Sequence, residues 1–249
     1  MAEQQDRANY SSADISLGNG AARKIYFRAN TSDASIIQQI LVNRQYDLGR
    51  LRRSNELKSF LERQKTTGKA PLVIDAGANI GASSIFFAAI IPDAVVVAIE
   101  PDAENFRLLS MNTEGLRIEA VCAAVSSTPG LARIIDPGEG HWGYRTENLT
   151  DGIGANNAVP RRTINEMYRK HSAQCFPFVV KIDIEGGEAD LFAANTEWIG
   201  VTPILIVELH DWLLPKRGSS RAFLQRISPL DRDFISIGED VYSIANDLG

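Results

Sequence analysis

After Pro71 the chain alternates short apolar runs with helical stretches, and few folds satisfy that alternation. The runs cover residues 72–75, 95–100, 118–125, 178–184 and 204–209. Helical candidates lie between them at 83–91, 103–112, 164–170 and 188–195. Near-continuous apolar strands separated by helices predict a parallel sheet covered on both faces. The tail places 234–237 and 241–245 around Gly238-Glu239-Asp240, which reads as an antiparallel β-hairpin. The expected fold is α/β: a doubly wound sheet of seven strands, mostly parallel, closing with that hairpin. A chain of 249 residues is long enough to bury such a core.

The part before Pro71 differs in charge. Residues 21–70 hold 11 Lys/Arg against 4 Asp/Glu, whereas 71–249 hold 14 against 24. Residues 1–20 read as a flexible lead, 21–70 as a basic helical extension, and 71–249 as the sheet domain. Thr31-Ser32-Asp33 resembles a helix N-cap, and Ile36, Ile37, Ile40 and Leu41 recur at helical spacing. The basic character suits either a collar that attracts an anionic substrate or a solvated helix face, and the second is the simpler reading.

Several classes are disfavoured by composition. The net charge of −5 gives no support for nucleic-acid binding. The longest apolar run, residues 85–91, is far short of the roughly 20 residues of a membrane span, so none is expected. The polar start carries acids and does not read as a signal peptide. Two cysteines, Cys122 and Cys175, form no disulfide framework, so a cytoplasmic location is the simpler expectation.

Two segments carry the chemistry. The first is Val73-Ile74-Asp75-Ala76-Gly77-Ala78-Asn79-Ile80-Gly81, a strand, a glycine turn and a helix start. Glycine allows close backbone approach, and a helix start presents free N–H groups. Glu100 ends the second strand and can accept two ribose hydroxyls. A dinucleotide fingerprint needs G-x-G-x-x-G, which is absent here. Asp75 also fits poorly beside a pyrophosphate. The cationic, phosphate-free cofactor S-adenosylmethionine (SAM) fits better.

The second segment is Lys181-Ile182-Asp183-Ile184-Glu185-Gly186-Gly187-Glu188, at the carboxyl end of the fourth run. Alternation in a strand would place Lys181, Asp183 and Glu185 on one face. The fifth run ends with Glu208 and His210 directed to the same edge. Glu188 reads equally well as a helix-dipole residue. Such clustered carboxylates suit a general base or a divalent cation with oxygen ligands. Direct base or positioning chemistry by Asp183, His210 or Glu208 is favoured. The same three residues would be the ligands if a metal were used. Glu185 is a candidate for acceptor contact, as are His141 and Trp142 in a glycine-rich loop. His171 reads as a favourable cation at a helix end.

The segments VIDAGANIGASSIFFA (73–88), AIEPDAENF (98–106), AAVSSTPG (123–130) and KIDIEGGEADL (181–191) resemble the FkbM-type SAM-dependent methyltransferases. The resemblance extends over about residues 30–246 and includes TSDASIIQQILVNRQY (31–46). It implies a class I methyltransferase fold over 71–249 and methyl transfer to a hydroxyl of a sugar, glycolipid or polyketide-type small molecule. It also implies that Asp75, Gly77, Asn79, Gly81 and Glu100 hold SAM. Ala124 and Val125 would lie along the adenine, and Asp183 between cofactor and acceptor. Asn165 and Gly187 depart from the family's usual Asp and Ala. A homo-oligomer is compatible with the helical extension.

Rival readings fare worse. A nicotinamide-dependent oxidoreductase or epimerase needs a third glycine and a Tyr-x-x-x-Lys pair. A non-catalytic SAM-binding module would not need Asp183, Glu185 and Glu188. A nucleic-acid methyltransferase would carry an Asn/Asp-Pro-Pro-aromatic tetrad where Asp-Ile-Glu-Gly stands.

Overall fold

The computed structural model describes residues 9–17, 22–135, 145–148, 158–213 and 215–248. Strands β1 (Ser11–Ser16) and β2 (Ala22–Phe27) pair antiparallel. Helix α1 (Asp33–Ile37) runs straight into a π-helical turn at Gln38–Val42, and α2 (Ser54–Lys65) follows. The chain then enters β3 (Ala70–Ala76), α3 (Ala82–Ile90), β4 (Val95–Glu100), α4 (Ala103–Thr113) and β5 (Ile118–Cys122). Four short strands come next: β6 (Ala124–Val125), β7 (Gly130–Ile135), β8 (Arg145–Asn148) and β9 (Ala158–Arg162). Helix α5 (Ile164–His171) precedes β10 (Cys175–Ile182). The remaining elements are α6 (Glu188–Leu191), α7 (Trp198–Val201), β11 (Ile204–Glu208), α8 (Arg221–Ile227), β12 (Arg232–Ile237) and β13 (Asp240–Ala245).

The central sheet has seven strands in the order β12-β13-β11-β10-β3-β4-β5. Strands β11, β10, β3, β4 and β5 are parallel, and β13 is antiparallel to both neighbours. The chain fills the sheet outward from β3 to β5 and then restarts at β10, on the other side of β3. That reversal opens a crevice at the carboxyl ends of β3 and β10, where α/β sheets place ligands.

Strand alternation builds the two faces. Val73, Val96, Val179, Ile204 and Ile206 face one core with α2, α3 and the N-terminal segment. Leu72, Ile74, Val97, Val180, Ile182, Leu205 and Val207 face the other, against Met167, Phe192, Trp198 and Phe223. Capping sets the helix starts. Asp102 accepts the Glu104 and Asn105 amides at 3.0 and 2.9 Å, and Thr163 with Glu166 forms a reciprocal capping box at α5.

Three expectations need correction. Part of the lead expected to be flexible is strand β1, whose one large apolar residue, Ile15, gives no visible alternation. The extension expected to be helical opens with strand β2 and is helical only afterwards, in α1, the π-helical turn and α2. The run expected at 118–125 divides at Ala123, and β6 joins a second sheet, β6-β9-β7-β8. The N-terminal segment shares the first core through Ile25, Ile37, Leu41 and Tyr46.

Asn112, fully buried, ties β2 to the glycine turn. Its Oδ1 accepts Tyr26 N at 2.8 Å, and its Nδ2 donates to Tyr26 O at 3.0 Å and Ile80 O at 2.8 Å. Asn112→Ala leaves three backbone groups without this partner and is expected to cost about 2 kcal/mol or more. Urea unfolding measures it, and a loss below about 0.5 kcal/mol would show that the tie is dispensable.

Candidate active site

The glycine turn closes against its neighbours on both sides. Gly77 N and Ala78 N both donate to Ile99 O at 3.0 Å. Gly77 has φ 78°, and a Cβ there would lie 1.7 Å from the Asp183 carbonyl oxygen. Gly81 has φ 93°, and its Cβ would meet Leu109 Cδ1 at 2.9 Å. Gly77 therefore lets the end of β10 pass, and Gly81 lets α3 pack on α4. Gly77 and Asn79 line the cavity described below, whereas Gly81 does not.

Asp75 lies beneath the turn, fully buried and off the cavity wall. Its Oδ2 accepts the Ser83 and Ser84 hydroxyls at 2.6 and 2.5 Å, and its Oδ1 lies 3.5 Å from Lys181 Nζ. Lys181 Nζ donates to Gly77 O at 2.8 Å and pairs with Asp183 Oδ2 at 3.2 Å. Burial disfavours the Lys181 charge, but Asp183 and Asp75 outweigh it and raise its pKa above the usual lysine value. The residue expected to touch the cofactor's cation thus anchors helix α3 and this lysine.

A cavity of about 320 Å³ opens at the carboxyl edge. Glu100 lies on one wall, with Asn79, Ala124 and Val125 beside it. Its Oε2 accepts Asn79 N at 2.9 Å, and its Oε1 accepts Asp102 N at 3.0 Å and Asn105 Nδ2 at 3.4 Å. Burial pushes the Glu100 carboxyl up to about 7 against those hydrogen bonds. Asn79 Oδ1 is buried and makes no hydrogen bond.

Asp183, Glu185 and Glu208 also line the cavity. Behind them lies His210, fully buried and not itself lining the cavity. His210 Nε2 is 3.5 Å from Asp183 Oδ1, 3.4 Å from Glu185 Oε2 and 3.5 Å from Glu208 Oε1. His210 Nδ1 is 2.6 Å from Glu188 Oε1, and Glu188 is also fully buried. Burial disfavours the imidazolium, but the carboxylates of Asp183, Glu188 and Glu208 prevail and raise its pKa far above the ordinary value. Burial raises Asp183 too, yet Lys181 and His210 bring it well below the usual carboxylate range. Glu185 goes the other way, to about 8, through burial and the charge of Asp183.

The structure unites Asp183, Glu185, Glu208 and His210 as expected, by a different route. Strand β10 ends at Ile182, so Glu185 reaches the cluster through a left-handed turn, with φ 50° at Glu185 and 90° at Gly186. Glu188 serves His210 as well as opening α6. Asn165 points elsewhere, donating to Asn195 O at 3.0 Å and Glu197 Oε2 at 2.8 Å. His141 and Trp142 lie outside the described residues. His171, in the last turn of α5, lies 3.3 Å from Glu119 Oε2.

Sequence reasoning missed three parts of this site. Ser32, Ser35, Ile36, Gln39, Gln45 and Tyr46 line the cavity from the N-terminal segment. Their helical spacing was visible, but not the surface they cover. Trp212, 58% exposed, and Glu239 complete the wall. Lys181 was noticed in its strand without a role, although a lysine within an apolar strand is itself a signal of a buried charge pair.

The family described as Methyltransferase FkbM domain matches residues 75–234. A search of curated proteins finds no match. Among solved structures, the chain is similar to a candidate O-methyltransferase from Klebsiella pneumoniae at 12% identity and TM-score 0.43, over 85% of this chain and 90% of that one. It is also similar to an O-methyltransferase from Bacillus cereus in complex with SAH, at 11% identity and TM-score 0.40, over 86% and 90% of the two chains. A methyltransferase from Geobacter sulfurreducens shares 15% identity at TM-score 0.35, over 84% and 87%.

The Gly77 contact is testable by melting temperature. Gly77→Ala is expected to cost about 3 kcal/mol or more, because the methyl group meets backbone oxygen as well as a disfavoured φ. Gly68 has nearly the same φ, 77°, with nothing within 4 Å of its Cβ position. Gly68→Ala should cost only about 1 kcal/mol. Equal losses in the two variants would rule out the collision with Asp183.

Proposed function

The chain belongs to the FkbM methyltransferase family, and from that membership we propose that it methylates a hydroxyl oxygen of a sugar, glycolipid or polyketide-type small molecule, using SAM. The observation that carries the proposal is a single cavity. It joins an acid suited to ribose, Glu100, to the carboxylates of Asp183, Glu185 and Glu208.

The cavity wall suits the cofactor. The Glu100 carboxylate accepts three N–H groups and keeps about one lone-pair site, on Oε2, for a ribose hydroxyl. Asn79 Oδ1 is a buried acceptor in want of a donor at the same wall. Ala124 and Val125 supply apolar surface for a flat base. When bound, SAM supplies a methyl group on a sulfonium, ready for in-line displacement.

The rest of the work falls to the chain's own residues. Displacement gains mainly from positioning, so the wall of Asp183, Glu185 and Glu208 is assigned to hold the acceptor oxygen in line. An alcohol must also lose its proton as the bond forms. Asp183 and Glu208 open onto the cavity and are the candidates to receive it, with His210 acting from behind them. Glu185 is assigned to acceptor contact, as are His141 and Trp142, which stand between two glycines in the sequence.

Methyl uptake from labelled SAM by a panel of hydroxylated sugars, glycolipids and polyketides tests the activity. Asp183→Asn is expected to lower turnover at least about 100-fold while leaving SAH affinity within a few fold. Full turnover in that variant would remove Asp183 from the reaction. Glu100 adds a pH dependence. Its ionised form is the better acceptor for a ribose hydroxyl, and its pKa is about 7. SAH should therefore bind about tenfold more weakly at pH 6 than at pH 8. Glu100→Gln should bind weakly at both, and a wild-type affinity flat across this range would contradict the ribose assignment.

A further inference from the structure

We propose that His210, Asp183 and Glu185 form a binding site for one divalent transition-metal ion on the cavity wall, with Glu188 orienting the histidine. The site stands on its own geometry, and its chemical use rests on the methyl-transfer reading above.

The histidine carries the argument. It is fully buried, yet its Nε2 makes no hydrogen bond. That nitrogen faces three carboxylate oxygens at 3.4–3.5 Å, one each from Asp183, Glu185 and Glu208. Glu185 Oε2 is likewise buried without a hydrogen bond. Separations of this size are long for hydrogen bonds. The separations to Asp183 and Glu185 match the edge of a tetrahedron, about 3.4 Å, around an ion with bonds of about 2.1 Å, whereas Glu208 falls outside the set of mutually close donor atoms. One donor atom from each of Asp183, Glu185 and His210 lies within 4.8 Å of the others.

The surroundings supply the remaining requirements. Glu188 Oε1 lies 2.6 Å from His210 Nδ1 and fixes a proton there, so an ion that displaces the Nε2 proton would meet a lone pair directed towards the carboxylates. A carboxylate behind a ligating histidine is the usual outer partner in metal sites. Lys181 occupies the other oxygen of Asp183, Oδ2, leaving Oδ1 on the side of the imidazole. Four acids, Asp183, Glu185, Glu188 and Glu208, converge on the one buried imidazole. Three of these acids also line the cavity, so an ion here would be open towards the acceptor.

The ligand set indicates the class of ion. One imidazole with carboxylates suits Mn²⁺, Fe²⁺ or Zn²⁺, whereas Mg²⁺ prefers all-oxygen, water-rich coordination. Such an ion would bind the acceptor's hydroxyl oxygen and lower its pKa.

The test is calorimetric titration of chelator-stripped full-length protein with MnCl2, with bound Mn²⁺ counted by electron paramagnetic resonance. The expected result is one Mn²⁺ per chain, bound more tightly than Mg²⁺. His210→Asn and Glu185→Gln should each weaken binding at least about tenfold, and Glu188→Gln by about 10- to 100-fold. Glu104→Gln, on the surface, should leave it unchanged. Melting temperature confirms folding, and Glu185→Gln decides the matter if His210→Asn does not fold. Less than about 0.1 Mn²⁺ per chain at about 1 mM, or undiminished binding in Glu185→Gln, overturns the site. SAH affinity of the stripped protein is measured in parallel. SAH binding without Mn²⁺ binding would sink the metal site alone, and Mn²⁺ binding without SAH binding would sink the cofactor reading alone.

Discussion

The ammonium of Lys181 holds the centre of the molecule together. It is buried between Asp75 on β3 and Asp183 at the end of β10, and it donates to the carbonyl of Gly77. Burying a charge costs several kcal/mol unless partners surround it. Here two carboxylates and a carbonyl do so, and removing any one would leave the others exposed to that cost. The knot also locks two pieces of backbone at contact distance. Gly77 meets the Asp183 carbonyl where no side chain fits, so the glycine turn and the carboxylate wall are parts of one rigid join. A shift on the cofactor side must therefore move Asp183.

A second chain of contacts ties the N-terminal segment to the same cavity. Arg28 Nη2 donates to Asp33 Oδ1 at 2.9 Å and to Asn105 Oδ1 at 2.7 Å, while Asn105 Nδ2 reaches Glu100 Oε1 at 3.4 Å. Asp33, fully buried, thus opens α1 while holding Arg28. Residues 32–46 form a cavity wall, although the family match begins only at residue 75.

What was legible in the sequence follows from the range of the interactions involved. Parallel strands buried on both faces must be continuously apolar, so the central sheet and its hairpin could be read directly. The acids at strand ends were legible because a charged residue stands out at the close of an apolar run. Roles set by contacts across the fold were not. Asp75 and Gly81 look like ligand residues in one dimension. Only the packing of Ser83, Ser84, Lys181 and Leu109 shows that they support the turn. Glu188 reads as a helix-dipole residue until His210, 22 positions on, arrives beside it. Strand β1 was invisible because its pairing with β2 is made by backbone groups that carry no sequence pattern.

The carboxylate wall is not built for stability. Four acids surround one buried imidazole, and burial, with the charge of Asp183 beside it, pushes the Glu185 carboxyl up to about 8. A left-handed non-glycine residue at Glu185 adds strain of about 1 kcal/mol or more. An apolar set of the same volume would avoid the burial of charge, although the backbone at position 185 would stay strained. Such departures from local consistency concentrate where a protein binds or reacts. The position of the strain agrees with this. It falls on the residue that turns an acid back towards His210, at the edge of the one sheet crevice created by the reversal of strand order. The fold supplies a rigid join at Lys181 and uses that rigidity to hold an unfavourable cluster of charge open to the cavity.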